Sequence, residues 1–391
     1  MSALEGIRIV DFSKFLPGPY CTWLLADMGA EVIRIENPRE IAKQAKVFGW
    51  DKLSDDERKA LRETDILARN KRSAMLDIGD ESAQQAIRAL VATADIVVED
   101  YRPGVLEGIG LGYDALKAVK PDLIYTSLTL CGQTGPYRDK PGHDPIALAI
   151  AGVLSRVGEN PDAPSFSGIP AADVITGTHA AFATLAALRD RDRTGQGQHV
   201  DVAMSDCAMS LLVNVLSRHP DLSTIPPRGT RRADIGLWRT RDGSFICTTD
   251  MEPRYWRQFC EAVGRPDFIE AQNDVARRPE IRAALEEIFA SRTRDEWLDV
   301  LGAAGTQFAP VYEIGEALDD PHNRARGMVI EGPAASGRTV RQIGQPVRLG
   351  GDTHIRNLGR WPGADTEDVL AGLGLPAKLK DQLSRQASGS S

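Results

Sequence analysis

The first third of this chain alternates short β-branched runs with helix-favouring segments, and that alternation limits its fold more than any other feature. Strand-like runs at 7–12, 31–36, 73–78, 95–100 and 123–130 are separated by helical patterns at 20–28, 81–94 and 113–120. A charged, helix-favouring stretch, 39–69, stands between the second and third runs. Consecutive strands joined through helices must run parallel, because each crossover carries the chain back to the same edge of the sheet. The predicted architecture is α/β, a Rossmann-like parallel sheet wrapped by helices.

Further along, an apolar helix is predicted over 143–157, another from about Asp173 to Arg191, and a strand over 199–204. A single core stops growing near about 250–300 residues, so a chain of 391 residues is expected to form two domains. Residues 218–234 are rich in Pro, Arg and Thr without an apolar period, which places a linker there. The reading is a large domain at 1–217, the linker 218–234, a smaller α/β domain at 235–327, and a return to the large domain at 328–391. The smaller domain opens with a hairpin around Asp242-Gly243, a pair suited to a type I′ turn. Helices follow at 253–263, 279–290 and 294–303, and strands at 328–330 and 340–347 are expected to rejoin the first domain.

Lys and Arg number 47 against 55 Asp and Glu, a formal charge of −8, with no basic run to track phosphates; nucleic acid is not an expected partner. Five scattered cysteines, none at C-x-x-C spacing, suit a reducing compartment and point to a cytoplasmic protein. The opening residues carry no basic and apolar leader, and no run of about 18 apolar residues suggests a membrane span. The terminal stretch 388–391 reads as a loose tail. Gly18 lies in a Pro-Gly-Pro turn where a dinucleotide fold would carry G-x-G-x-x-G, and neither a phosphate-binding G-x-x-x-x-G-K-[ST] loop nor a G-x-S-x-G elbow occurs. The six histidines (143, 179, 199, 219, 322 and 354) never pair at metal-binding spacing.

Three residues stand where chemistry could be done. His143 follows a Gly/Pro loop at the start of an apolar helix, where a neutral imidazole able to take a proton is favoured; a capping or surface histidine fits the same position. Asp173 precedes a helix and reads equally as an N-cap. Glu252 heads the helix beginning Pro253-Arg254-Tyr255, where the helix dipole favours an acid.

The runs around these residues resemble the class III CoA-transferase family. The resemblance begins with Leu4-Glu5-Gly6-Ile7-Arg8-Ile9-Val10-Asp11, Pro17-Gly18-Pro19, Gly29-Ala30-Glu31-Val32-Ile33-Arg34-Ile35-Glu36 and Asn70-Lys71-Arg72-Ser73. It continues through Glu99-Asp100-Tyr101-Arg102-Pro103-Gly104, Gly132-Gln133-Thr134-Gly135-Pro136, Arg193-Thr194-Gly195-Gln196-Gly197-Gln198 and Asp320-Pro321-His322. The resemblance implies action on CoA thioesters by one of two chemistries. Gly142-His143-Asp144, the 30-residue separation of His143 from Asp173, and Met251-Glu252-Pro253 are similar to the α-methylacyl-CoA racemase branch. There His143 and Asp173 would exchange an α-proton of a 2-methyl-branched acyl-CoA, with Glu252 supporting the histidine. Backbone N–H groups at the start of the Asp173 helix are candidate donors to the enolate oxygen. The alternative is a CoA transferase in which Asp173 is the nucleophile and an aspartyl anhydride the intermediate.

The resemblance further implies CoA contacts at Lys71, Arg72, Leu76, Asp100, Tyr101, Arg102, Arg138 and Asp144. No separate cofactor is implied, since CoA enters as part of the thioester substrate. An intertwined homodimer is also implied, with Glu252 acting within its own chain or across the dimer. The chain departs from the family pattern at Asn37 and Gly108, where basic residues are common. It lacks a G-G-G-G loop between Pro220 and Thr249, and Asp173-Val174-Ile175-Thr176-Gly177 resembles the transferase branch at least as well.

Overall fold

The computed structural model describes residues 2–230, 232–334, 336–349 and 355–388; the Arg231 of the linker, His354 and residues 389–391 of the tail lie outside them. The chain divides into two compact units. One comprises Met1–Val157, Pro164–Ile225 and Ala325–Ser391, the other Gly158–Ala163 and Pro226–Arg324.

The larger unit is built on six parallel strands: β1 (Arg8–Asp11), β2 (Glu31–Glu36), β3 (Lys71–Met75), β4 (Ile96–Glu99), β5 (Ile124–Thr129) and β6 (Gln198–Ala203). Their order is β3-β2-β1-β4-β5-β6, so the direction of winding reverses between β1 and β4. In such open sheets ligands bind at the carboxyl ends of the strands at this switch point. Helices α1 (Pro17–Asp27), α2 (Pro38–Phe48), α3 (Asp55–Glu63), α4 (Glu81–Val91), α5 (Tyr113–Val119), α6 (Asp144–Ile150), α7 (Ala171–Thr194), α8 (Met204–Met209) and α9 (Val213–Arg218) complete the alternation. Successive strand residues feed opposite faces, as the pleat requires. Ile9, Val32, Ile96 and Ile124 pack with Trp23 and Leu25 of α1 and Ala180 and Leu188 of α7. Val10, Ile33, Val97 and Tyr125 pack with Ile87 and Leu90 of α4.

Helix α7 is long and apolar enough by composition to cross a membrane, but it is a core helix here, packed on α1, β5 and β6. Its close approach to α1 depends on Gly177, where a Cβ would stand 2.6 Å from the Pro17 carbonyl oxygen and 2.9 Å from Tyr20 Cδ1.

Several predicted elements change in detail. The stretch 39–69 is two helices, α2 and α3, interrupted at Gly49 with φ of 73°. The strand expected at 73–78 begins at Lys71, whose charge is neutralised by Asp11. The helix expected over 143–157 closes at Ile150, because Gly152 takes φ of 78° and a single 3₁₀ turn, Val153–Ser155, follows.

The smaller unit pairs β7 (Ile235–Arg239) and β8 (Phe245–Thr249) with β9 (Phe308–Pro310) in an antiparallel sheet. Around it stand α10 (Pro253–Ala262), α11 (Arg278–Phe289), α12 (Arg294–Ala304), α13 (Ile314–Asp319) and α14 (Pro321–Ala325). Trp238, Trp256, Phe259, Phe289 and Trp297 fill its core. The hairpin turn is not type I′: of its residues only Gly243 has positive φ, 83°, and the Gly243 N–H donates to the Thr240 carbonyl at 2.9 Å. This is a type I turn followed by a left-handed glycine.

Residues 328–330 and 340–347 do not extend the large sheet. Instead β10 (Val329–Pro333) and β11 (Thr339–Ile343) pair with each other. The returning chain, ending in α15 (Thr366–Ala371) and α16 (Ala377–Ser388), covers the β3 edge: the Ser73 and Met75 N–H groups donate to Asp365 Oδ2 and Thr366 Oγ1, both at 2.9 Å. An otherwise unpaired strand edge is thereby satisfied. Ser388 closes α16 rather than opening a loose tail.

Candidate active site

The sequence places a carboxylate or histidine at four points where strands of the large sheet end or helices begin, and the fold brings these together. Asp100 follows β4 at the switch point. Its carboxylate accepts the Lys14 N–H at 3.1 and 3.0 Å and the Phe15 N–H at 3.2 Å, both from the turn between β1 and α1. Phe15 in turn sets its ring edge-on to His143, with centroids 5.6 Å apart. His143 is the N-cap residue of α6, with extended backbone, but its side chain makes no capping bond. The imidazole is exposed and not committed to holding the helix.

Asp173 is not an N-cap. Pro170 occupies that position without a side-chain bond, and Asp173 lies in the first turn of α7. The missing cap is supplied from another helix: the buried Asp144 carboxylate accepts the N–H groups of Ala172 at 2.6 Å and Asp173 at 3.2 Å. Asp144 is thus occupied in joining the starts of α6 and α7, which corrects its reading as a CoA contact. The same bonds remove those two N–H groups from the candidate donors to an enolate or tetrahedral oxygen.

Electrostatics follow from this packing. Burial raises Asp173 to about 7, with Asp144 and then Asp100 adding to the effect. Burial also raises Asp100 to about 6, against the opposing N–H bonds and charge of Lys14 and with Asp11 adding. Next along the chain, burial pushes Glu99 up to about 8; its carboxylate accepts the Tyr101 N–H at 2.7 Å. Titrating groups displaced this far and gathered at a sheet's switch point mark a candidate reaction centre.

The predicted CoA contacts divide. Lys71 is 2% exposed, and its Nζ bonds Asp11 Oδ2 at 3.1 Å, the Pro19 carbonyl at 3.0 Å and Thr22 Oγ1 at 2.6 Å; it is a core residue, not a phosphate ligand. Arg72 leans toward the amino ends of the strands, where its guanidinium meets Glu31 at 2.9 Å beside Arg8. It therefore sits toward the opposite ends of the strands from Asp100. The Leu76 side chain is buried in the core beneath α4. Tyr101 is buried too, with Lys14 Nζ 3.3 Å from its ring centroid and its hydroxyl bonded to Asn37. Together with Ser13, Glu40 and Gln44 they line a narrow cleft at the carboxyl ends of β1 and β2. Arg102 is exposed after β4, and Arg138 lies against Gly104 of the same loop while bonding the Gln133 carbonyl at 3.1 Å. The Arg138 guanidinium also pairs with Asp139 at 2.6 Å, so an anionic ligand would have to share it, whereas Arg102 is exposed.

Glu252 lies in the smaller unit at the start of α10, exposed and not capping its own helix. Gln307, with its amide nitrogen turned toward the carboxylate, donates to Glu252 Oε2 at 3.2 Å. A wider cleft of about 710 Å³ in this unit, between the hairpin and α11, contains none of these groups.

Sequence reasoning missed Phe15, Lys14 and the capping role of Asp144. Only the last left any signal, an acid directly after His143.

Comparison with known proteins agrees with this architecture. The chain is 36% identical over 394 residues to an acyl-CoA transferase of Fusarium pseudograminearum, covering 96% of this chain and 86% of that one. It is 33% identical to a probable fatty acyl-CoA transferase of Mycobacterium tuberculosis, covering 84% and 87% of the two chains. A succinyl-CoA:mesaconate CoA-transferase of Haloarcula hispanica is 32% identical, with 89% and 90% covered. Among solved structures, a CAIB/BAIF family protein from Brucella suis superposes with a TM-score of 0.80 at 29% identity, over 95% of this chain and 99% of that one. The profile of CoA-transferase family III matches residues 4–366. The chain belongs to CoA-transferase family III.

Proposed function

We propose that this enzyme moves CoA between carboxylic acids, with Asp173 as the nucleophile. The observation that marks Asp173 as the reacting group is its carboxyl: recessed, raised toward neutrality by burial, and held at the backbone by Asp144. A carboxylate of raised proton affinity is a stronger nucleophile than an ordinary one. The names of the relatives support transfer over racemisation. Asp173 attacks the acyl carbonyl carbon of acyl-CoA and the C–S bond breaks, giving an acyl-aspartyl anhydride and CoA thiolate. The thiolate then attacks the aspartyl carbonyl, releasing the first acid as its carboxylate and leaving an aspartyl-CoA thioester. An acceptor carboxylate reverses both steps, regenerating Asp173 and a new acyl-CoA. No cofactor beyond CoA is required, and Arg102 and Arg138 are the cations offered to its phosphates.

A second reading rests on His143, whose ring is free of capping duty. As an α-methylacyl-CoA racemase, the enzyme would take the α-proton with His143 and return one from protonated Asp173 on the other face. The test is incubation with succinyl-CoA or acetyl-CoA and hydroxylamine, followed by peptide mass spectrometry. Stoichiometric hydroxamate at Asp173, with CoA exchange into added acetate, oxalate or succinate, supports the transferase. No adduct, together with α-deuterium uptake by 2-methylacyl-CoA from D₂O without an acceptor acid, refutes it in favour of the racemase.

The proposal includes a homodimer in a cytoplasmic setting. Phe166, Phe182, Met209, Val213 and Leu216 of the larger unit are exposed apolar side chains that a second copy would cover. The five free thiols suit a reducing compartment. Light scattering at micromolar concentration giving a monomer would remove the dimer.

A further inference from the structure

Asp100 is a carboxylate at the switch point that the transfer chemistry does not use. It accepts two consecutive N–H groups, those of Lys14 and Phe15, and so fixes the turn that leads from β1 into α1. The fit is close: a Cβ on Gly18 would stand 3.1 Å from Asp100 Oδ2 and 2.3 Å from Ser13 Cβ, so the first turn of α1 seats here only because residue 18 has no side chain. What the turn presents is also set by this anchor. Phe15 abuts His143, and Lys14 Nζ lies over the Tyr101 ring.

We propose that Asp100 is a positioning residue of the reaction centre, which fixes the turn carrying Lys14 and Phe15 against His143 and confronts Asp173 with a second recessed carboxylate. This deepens the reading of Asp173 as the reacting group and rests on it. Charged and titrating groups face Asp100 from every side: Asp11 on β1, Lys14 in the turn, Arg34 on β2, Glu99 and Tyr101 along its own strand and loop, and Asp173 on α7. Asp173 itself faces Asp144 and Asp100. The Asp100 carboxylate is one of the like charges that raise Asp173. Removing that charge must lower the Asp173 midpoint.

The experiment titrates the full-length protein labelled with [4-¹³C]aspartate, following the Asp173 resonance assigned through Asp173→Asn. Asp100→Asn keeps an acceptor for the two N–H groups but no charge. It is expected to lower the Asp173 midpoint by about half a pH unit or more, the direction set by loss of a like charge. In Asp100→Ala, hydrogen exchange of the Lys14 and Phe15 amides should quicken at least about tenfold, while in Asp100→Asn it stays near the parental rate. An unmoved Asp173 midpoint in Asp100→Asn overturns the proposal, and so does unchanged amide protection in Asp100→Ala. If Asp100→Ala does not fold, the Asp100→Asn titration alone decides. Hydroxylamine trapping on the parent protein tests the nucleophile separately, so failure of the transfer reading is told apart from failure of the role given to Asp100.

Discussion

Replacing Lys71 by Met separates a core role from a ligand role at one position. Lys71 Nζ holds three oxygens, those of Asp11, Pro19 and Thr22, inside the larger unit. Methionine matches its length but leaves Asp11 buried with one cation fewer. Breaking one half of a buried pair costs about 3–5 kcal/mol, since the remaining charge is uncompensated. Arg34 still stands near Asp11, and Ser13 and Thr22 still donate to it, which puts the loss at the lower end, about 3 kcal/mol. Against a typical total of about 5–15 kcal/mol, a deficit of that size is readily measured.

The pH dependence of this deficit has a definite sign. Burial opposes ionisation of Asp11, but Lys71, Arg34 and the two hydroxyls outweigh it and hold the carboxyl below its ordinary value of 3.8. A depressed carboxyl stabilises the fold above its unfolded value and loses that contribution as pH falls through the folded one. The deficit of Lys71→Met therefore narrows in acid. Urea unfolding followed by tryptophan fluorescence measures it, beside CoA binding by calorimetry on the folded protein. The expected result is a lowered midpoint with CoA affinity within about threefold of the parent. A parental midpoint combined with an affinity loss of about tenfold or more would refute the structural role and restore Lys71 as a ligand.

Three other substitutions test neighbouring parts of the structure. Asp144→Ala strips the cap from α7 and should cost about 2 kcal/mol in thermal or urea unfolding, whereas Asp144→Asn keeps most of that stability and lowers the Asp173 midpoint. Gly177→Ala should lower the thermal midpoint even though helix propensity alone favours alanine by about 1 kcal/mol, because its Cβ meets the Pro17 backbone; a raised midpoint would show that α1 moves aside freely. Arg102→Ala should weaken CoA binding by about threefold or more while Arg72→Ala leaves it unchanged, and calorimetry giving the reverse order would move the ligand to the other ends of the strands.

The βα alternation was legible because buried parallel strands read as short apolar runs and the helices between them carry a different period. β3 was misplaced by its first two residues, since Lys71 and Arg72 look like surface charges until Asp11 and Glu31 are seen opposite them. The pairing of the strands in the returning chain was not legible. Nothing in 328–330 and 340–347 tells a ladder with each other from a ladder with the large sheet. At the site, helix-start signals brought out His143 and Asp173. The contact that organises them, Asp144 on the first turn of α7, spans 28 residues through space and leaves no periodic trace. Likewise, family motifs located Arg72 and Arg102 equally well, and only the direction of the strands shows that one faces the switch point and the other turns away.

The state of Asp173, the proposed reacting group, suits either of the two chemistries. An aspartate whose folded pKa is raised lends stability below its unfolded value, 3.8, and loses it as pH rises through the folded one, about 7. At neutral pH the fold therefore carries this carboxyl at a cost, and Asp144 and Asp100 increase that cost where an apolar neighbour would not. Such an arrangement is hard to explain as support for the helix, because Asp144 already caps α7 without help from Asp173. Near pH 7 the carboxyl is divided between anion and acid. The anion can open a thioester, and the acid can return a proton to an α-carbon. Asp173 alone does not select between them; selection depends on the group across the substrate. An acceptor carboxylate there leads to transfer, and His143 in its neutral form leads to proton exchange. His143→Ala distinguishes the two. Transfer through the anhydride needs no second base, so the variant should keep hydroxamate formation at Asp173 within about threefold of the parent, whereas a two-base proton exchange would fall by about 10²–10⁴-fold.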